Sequence, residues 1–148
     1  MKSSPVYFYV QKTMPQTVVG RVPFELTRLN VGRAMDASSG IFTAPVDGIY
    51  SFYISGVAKP LSASSHYLRI ALMLNDNQIG LGGSDNPNDG SAHTYSLQST
   101  LELKAGDQVW MTVHALTSGA RLFDDWDHYT HFSGHLLQEH MTRSLNYN

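Results

Sequence analysis

An all-β sandwich or barrel is the fold class this sequence predicts, and three observations carry the prediction. Apolar residues recur at every second position in segment after segment, helical spacing is almost absent, and Gly, Pro, Asn and Asp break the chain at short intervals. A strand sends alternate side chains to opposite faces, so each alternating run implies one buried face. Many short strands joined by regular turn signals read as a sandwich or barrel.

The elements follow in order. Val6, Phe8 and Val10 alternate with Tyr7, Tyr9 and Gln11. Asp47-Gly48 is a turn signal before the apolar run over residues 49–57. Leu68, Ile70, Leu72 and Leu74 alternate with Tyr67, Arg69, Ala71 and Met73, and Asn75-Asp76-Asn77 then turns the chain as in a hairpin. Residues 82–90 (GGSDNPNDG) read as a polar loop with no core-forming side chain. Tyr95, Leu97, Ser99, Leu101 and Leu103 form a further alternating run, and Ala105-Gly106-Asp107 closes it tightly. Val109, Met111, Val113 and Ala115 alternate with Trp110, Thr112 and His114, and Thr117-Ser118-Gly119 ends that run. Residues 139–148 are weakly patterned and are set apart as a tail.

Composition narrows the functional classes. With 148 residues the chain has the size of one domain. Charged residues make up only 15%, against roughly 25% in an average soluble domain. A compact chain with so few charges must bury much of its surface or cover it with uncharged polar groups. The aromatic content, 8 Tyr and 6 Phe, argues against disorder. The absence of cysteine excludes a disulfide scaffold, a cysteine zinc module and a thiol nucleophile. A formal charge of −2 gives no general attraction to nucleic acid. No run approaches the ~20 apolar residues of a membrane span. Residues 1–5 lack the apolar stretch of a signal peptide. The expectation is therefore a protein that stays where it is made, or the mature or excised form of something larger. No Asn-x-Ser/Thr sequon occurs. Tyr7, Tyr9, Tyr50, Phe52, Trp110 and Tyr129 are too many large rings for the solvent face of a monomer, which points to a subunit interface.

The stretch Leu29-Asn30-Val31-Gly32, Ala34-Met35-Asp36 and Gly40-Ile41-Phe42-Thr43-Ala44-Pro45-Val46-Asp47-Gly48-Ile49-Tyr50-Ser51-Phe52 closely resembles the signature of the complement C1q globular domain, of the C1q and tumour necrosis factor superfamily. Three further matches fall in order: Asn75 after Leu72-Met73-Leu74, the segment Leu101 to Trp110 around Gly106-Asp107, and Phe132-Ser133-Gly134-His135-Leu136-Leu137 as a closing strand. Pro5-Val6-Tyr7-Phe8 is similar to the opening strand. The resemblance covers residues 5–138, leaving residues 1–4 as an N-terminal extension and 139–148 as a tail. It implies a ten-stranded jelly-roll sandwich of C1q/tumour necrosis factor type that assembles as a homotrimer. Within the signature, Gly40 and Gly48 suit turns that need positive φ. Phe42, Phe52 and Phe132 read as core rings, and Asn30 and Asp36 as loop ties. The chain departs from the family pattern at His135, often aromatic, and at Met35, often Tyr. No collagen-like Gly-x-y segment lies in this sequence, so large bouquet assemblies are not expected from it.

No HExxH, GxSxG, Walker loop or strand-linked GxGxxG occurs, and the chain is not expected to be an enzyme. Calcium is the cofactor considered. Asp85, Asn86, Asn88 and Asp89 lie in one loop, and Asp124, Asp125 and Asp127 in another, and calcium takes six to eight oxygen ligands. Asp85, Asp89, Asp125 and Asp127 are its expected ligands, and the Asp124–Asp127 stretch resembles the acidic loop that precedes the closing strand in the family. His93 stands where some calcium-binding members carry an acid; the simpler reading of such loops is solvated turns. Of seven histidines, His128, His131, His135 and His140 crowd the end of the chain. His131 and His135 share a strand face with Ser133, so in a trimer their copies would bind zinc or repel one another when protonated. The simpler reading is that they hydrogen-bond or face solvent. Lys59, Arg69 and Arg121 are candidates for an anionic surface, and Trp126 for a partner contact, with solubility and loop packing as the plainer alternatives.

The ligand-reading residues expected in the loops are Asp85, Asn88, Asp89, His93, Arg121 and Trp126. Those expected at the trimer interface are Phe8, Tyr50, Trp110 and His135. The resemblance implies a secreted, extracellular, non-enzymatic recognition head that binds extracellular ligands multivalently, whether microbial or cell-surface glycans, lipids or receptor proteins, as in innate-immune pattern recognition or secreted signalling; the partner expected is a protein or carbohydrate ligand. No nucleic acid and no membrane span belong to this reading. The alternative is a structural head that trimerises a fibre or coat assembly.

Overall fold

A computed structural model describes residues 5–60, 66–86, 92–117 and 119–140, with the side chains of residues 60, 66 and 84–86 left aside. The described residues contain strands and turns and no helix. In chain order the strands are β1 (Tyr7–Gln11), β2 (Gly20–Arg21), β3 (Leu26–Val31), β4 (Met35–Asp36), β5 (Ile41–Thr43) and β6 (Gly48–Pro60). They continue with β7 (His66–Leu74), β8 (Asn77–Asn86), β9 (His93–Leu103), β10 (Gln108–Leu116), β11 (Ala120–Phe123) and β12 (His131–Glu139). Two of the twelve, β2 and β4, have only two residues, which leaves ten longer strands. The fold is the expected all-β jelly-roll.

Two six-stranded antiparallel sheets face one another. In the first, β3, β1, β12 and β6 are neighbours; β6 carries β11 beyond β12 on one edge and β9 on the other. In the second, the order is β4-β5-β10-β7-β8, with β2 on β10. The inward set of β6 is Tyr50, Phe52, Ile54 and Ala58, each at most 1% exposed. It meets Leu68, Ile70, Leu72, Val109, Met111 and Val113 of the opposing sheet. The alternations read from the sequence on β7 and β10 are these inward sets.

The signature residues act locally as expected. Asn30 makes two bonds across its loop: its Nδ2 donates to the Met35 carbonyl at 2.7 Å, and its Oδ1 accepts from the Met35 N–H at 3.2 Å. Asp36 accepts from Ser38 N–H and Oγ, which holds its carboxyl below the ordinary range. Gly40 has φ +78°, and a Cβ there would run into the Val22 carbonyl, so no other residue fits. Gly48 differs from expectation. It lies inside β6 without positive φ, and glycine is needed for space, since a Cβ would meet Gln138 O and Leu136 Cδ1.

Residues 82–86 also correct the sequence reading. They are the second half of β8, paired to β7 from Gly82↔Ile70 to Asn86↔His66, and not a loop. Backbone pairing to β7 holds this segment in the sheet, although its sequence shows no apolar alternation. Gly82 lets β8 approach β9, since a Cβ would stand 3.0 Å from Leu97 Cδ2.

Candidate functional site

Two regions of the first sheet gather the polar and aromatic side chains of interest. The first is its outer face. On β6, residues 51, 53, 55, 57 and 59 point away from the core, as do Tyr7 and Tyr9 on β1 and His131, Ser133 and His135 on β12. Tyr7, Tyr9, Leu29, Tyr53, His131, Ser133 and His135 line a shallow depression of about 440 Å³. Tyr7, Leu29 and Tyr53 are 41%, 47% and 42% exposed, so a contiguous apolar surface stands uncovered on the chain.

His131 sits at the top of this depression. Its Nε2 lies 3.2 Å from Ser55 Oγ, and the rings of Tyr9 and Tyr53 flank it at 5.4 and 6.3 Å. Its Nδ1 is buried with no partner among the described residues. Burial disfavours the imidazolium and holds the His131 pKa below the usual histidine value, against a weaker opposite pull from Asp124. Tyr9 is held in turn by Gln11 Nε2, which donates to its hydroxyl at 3.2 Å, while Arg28 Nε donates to Gln11 Oε1 at 2.8 Å.

Two of the four expected interface residues are corrected by this geometry. Phe8 and Tyr50 are 3% and 0% exposed and belong to the core. Phe8 points inward with Val6 and Val10, and the Tyr50 hydroxyl is satisfied by the Val46 carbonyl at 2.8 Å. Trp110 is half-buried on the outer face of the other sheet, since Val109 and Met111 take the inward positions of β10. His135 is exposed on the rim of the depression. The rings that form the uncovered face are Tyr7, Tyr9 and Tyr53. Alternation on β1 and β6 puts them on the face opposite Phe8 and Tyr50, but with large rings on both faces it does not say which face turns inward.

The second region is the loop between β11 and β12. Asp124 is 2% exposed; its Oδ2 accepts from the Thr130 N–H at 2.7 Å, and its Oδ1 has no partner among the described residues. Burial raises its carboxyl pKa. Asp125 Oδ1 accepts from the Asp127 N–H at 2.7 Å, and the Tyr129 hydroxyl donates to Asp127 Oδ2 at 3.3 Å. The two carboxylates push the Tyr129 phenol upward. His128, at φ +61°, places Nδ1 2.9 Å from the Lys12 carbonyl. Trp126 is 77% exposed, and the His128 ring stands edge-to-face with it at 6.1 Å.

The loop is braced from below by an ion pair that the sequence did not signal. Lys12, 2% exposed, donates to Glu25 Oε2 and to the Pro23 carbonyl, each at 3.0 Å, and Glu25 Oε1 accepts from the Thr13 N–H at 2.8 Å. Lys12 N–H in turn donates to the Thr130 carbonyl at 2.9 Å.

The acids expected to hold calcium are only partly placed. Asn88, Asp89 and the side chains of Asp85 and Asn86 lie outside the described residues. No three His, Asp or Glu groups among the described residues cluster to share an ion. Asp125 and Asp127 are engaged within their own loop, so by themselves they make no cage. His93 begins β9 opposite Ala58 of β6. Arg121 on β11 is the direct partner of Lys59 on β6, one strand away from His93.

A C1q domain family model matches residues 7–137. Caprin-2 of Danio rerio is 35% identical over 125 residues, covering 84% of this chain and 13% of that protein. Complement C1q tumor necrosis factor-related protein 3 of Mus musculus is 32% identical over 116 residues, covering 78% of this chain and 44% of that protein. The chain thus spans less than half the length of these relatives. Among solved structures, the globular domain of zebrafish complement 1qA protein superposes with a TM-score of 0.65 at 16% identity, covering 93% of this chain and 100% of that one. Murine APRIL gives 0.65 at 15% identity, covering 90% and 99%. These two likenesses speak for the fold, and the family match and the two relatives for descent. The chain belongs to the C1q domain family.

Proposed function

We propose that this chain is a non-enzymatic head that assembles as a homotrimer and recognises extracellular ligands, a protein or a carbohydrate, several copies at a time. The observation that carries the reading is the uncovered aromatic face of the first sheet. Tyr7, Tyr9, Leu29 and Tyr53 form an apolar depression with few charges, which is the composition of a subunit core. The family is one of generally non-enzymatic domains that typically trimerise, in keeping with this use of the face. Assembly through it leaves the loop at residues 124–130, with Trp126, free to meet a ligand. Three weak sites on one rigid head then gain avidity without new contacts. Secretion belongs to the same reading, as the setting in which such ligands are met.

Sedimentation equilibrium tests the assembly. The wild-type mass is expected at three chains of 16.4 kDa, and Tyr53→Glu, which sets a charge in the depression, is expected to yield monomers. A monomeric wild type would refute the trimer. A glycan and lipopolysaccharide array, run with and without EDTA, tests the rest. Binding that chelation abolishes assigns calcium to the ligand site. A trimer that binds nothing on the array favours the assembly role of a fibre or coat head.

A further inference from the structure

Lys59 and Arg121 are direct cross-strand partners where β6 meets β11. Both side chains leave the sheet on its outer face, because Ala58, Ala120 and Leu122 take the inward positions. Both lie against one ring. Lys59 Nζ is 4.6 Å and Arg121 Cζ 5.3 Å from the centroid of Phe123. Like charges placed directly opposite in a sheet repel. The ring attracts each cation through its face but carries no charge that would neutralise either.

Neither cation meets a carboxylate within ion-pair distance among the described residues; the pairs found there are Lys12–Glu25 and His140–Glu102. Residues 61–65 and Ser118, which flank the pair in sequence, include no acid. Arg121 Nε is moreover buried with no hydrogen-bond partner among the described residues, a donor shielded from water with nothing to receive its proton. Beside them, Phe123 meets the half-exposed ring of Tyr129 at 5.6 Å, which extends the aromatic surface.

We propose that Lys59 and Arg121 hold the oxyanion of an acidic sugar, a sulfate or a carboxylate, with Phe123 and Tyr129 as the shelf for the ring that bears it. Guanidinium and ammonium groups side by side offer a forked donor and a point charge to one anion, which removes their mutual repulsion. The aromatic shelf favours a ring-bearing anion over a bare ion. The inference rests on the recognition reading for its ligand class, though a single protomer supplies every residue.

Isothermal titration of the full chain tests it, with a sulfated disaccharide, a sialylated trisaccharide, neutral lactose and inorganic sulfate as separate probes. One acidic sugar is expected to bind and lactose not. Raising salt from about 50 to about 200 mM is expected to weaken the binding. Lys59→Gln and Arg121→Gln are each expected to weaken it by about tenfold or more. Circular dichroism melts check that the variants fold; if Arg121→Gln does not, Lys59→Gln carries the test, since its ammonium makes no hydrogen bond among the described residues. Unchanged affinity in a folded variant overturns the site. Inorganic sulfate binding as tightly as either sugar overturns the shelf, and binding to phosphatidylserine vesicles without binding to sugars overturns the ligand class. A trimer that ignores acidic sugars refutes this inference alone, whereas a monomer that binds them refutes only the assembly reading.

Discussion

Replacing Gly134 by alanine asks how tightly the two sheets are locked. Gly134 lies on β12 between Phe8 of β1 and Phe52 of β6. An alanine Cβ would stand 2.7 Å from Phe8 Cε2 and from Phe52 Cδ1, and 2.9 Å from Phe52 Cε1. Carbon atoms prefer about 3.5–4.0 Å, so both rings must retreat by roughly 1 Å. They have little room. Phe8 packs on Phe42 at 5.3 Å and edge-on to Phe132 at 5.0 Å, and Phe52 packs on Phe42 at 5.3 Å and on Phe132 at 6.2 Å. Overpacking of this kind costs about 1–3 kcal/mol. The backbone at Gly134 is not in the left-handed region, so alanine also gains about 0.4–1 kcal/mol by restricting the unfolded chain. The clash outweighs that gain, and the net loss is about 1–2 kcal/mol. For a chain of this length that corresponds to a fall in Tm of about 2–8 °C. Differential scanning calorimetry at one fixed protein concentration measures it, because assembly makes Tm concentration-dependent. Adding Phe52→Leu should recover part of the loss, since the two sites are in contact. A Tm for Gly134→Ala equal to or above that of the wild type would refute the packing argument.

Glu25→Gln leaves Lys12 buried without its counter-charge. Because Glu25 is partly exposed, the cost is expected at about 2–3 kcal/mol, below the roughly 3–5 kcal/mol of a fully buried pair, as read from urea denaturation. Asp124 has a folded pKa above its ordinary 3.8, so its contribution is present in acid and is lost as pH rises through the folded value. Asp124→Asn, which keeps an acceptor for the Thr130 N–H, should raise stability at about pH 7 and leave it unchanged near about pH 3. His131 runs the other way. Its folded pKa lies below the ordinary 6.5, so the stability it lends is present above that value and is lost as pH falls toward the folded one. Denaturation midpoints at about pH 7.5 and about pH 5.5 should differ in the wild type, and by less in His131→Gln; equal differences would remove His131 from the account.

The sequence made the sandwich legible because period-two alternation is a local property. Leu68, Ile70 and Leu72, or Val109, Met111 and Val113, declare an inward face without any knowledge of the neighbouring strand. The loop ties of Asn30 and Asp36 were legible for the same reason. What stayed hidden depends on distant partners. On β1 and β6 both faces carry large rings, so alternation alone did not decide that Phe8 and Tyr50 turn inward while Tyr9 and Tyr53 turn out. The second half of β8 has no apolar pattern of its own, and its order comes from β7. The Lys12–Glu25 pair, the Ser55 contact of His131 and the pairing of Lys59 with Arg121 each join residues that only register brings together. Trp126 was the loop residue singled out from sequence alone, and its ring is the most exposed of the large hydrophobic side chains described.

The pairing of β1 with β12 has a practical consequence for how the domain is displayed. Tyr7 pairs with His135 and Gln11 with His131, so Pro5 and His140 leave the sandwich at one pole. The loop at residues 124–130 and the Lys59–Arg121 pair stand at the other. A tag, a surface linker or a flanking segment joined next to Pro5 or His140 departs from the first pole. Immobilised through an attachment next to Pro5 or next to His140, the head presents the same pole to solution.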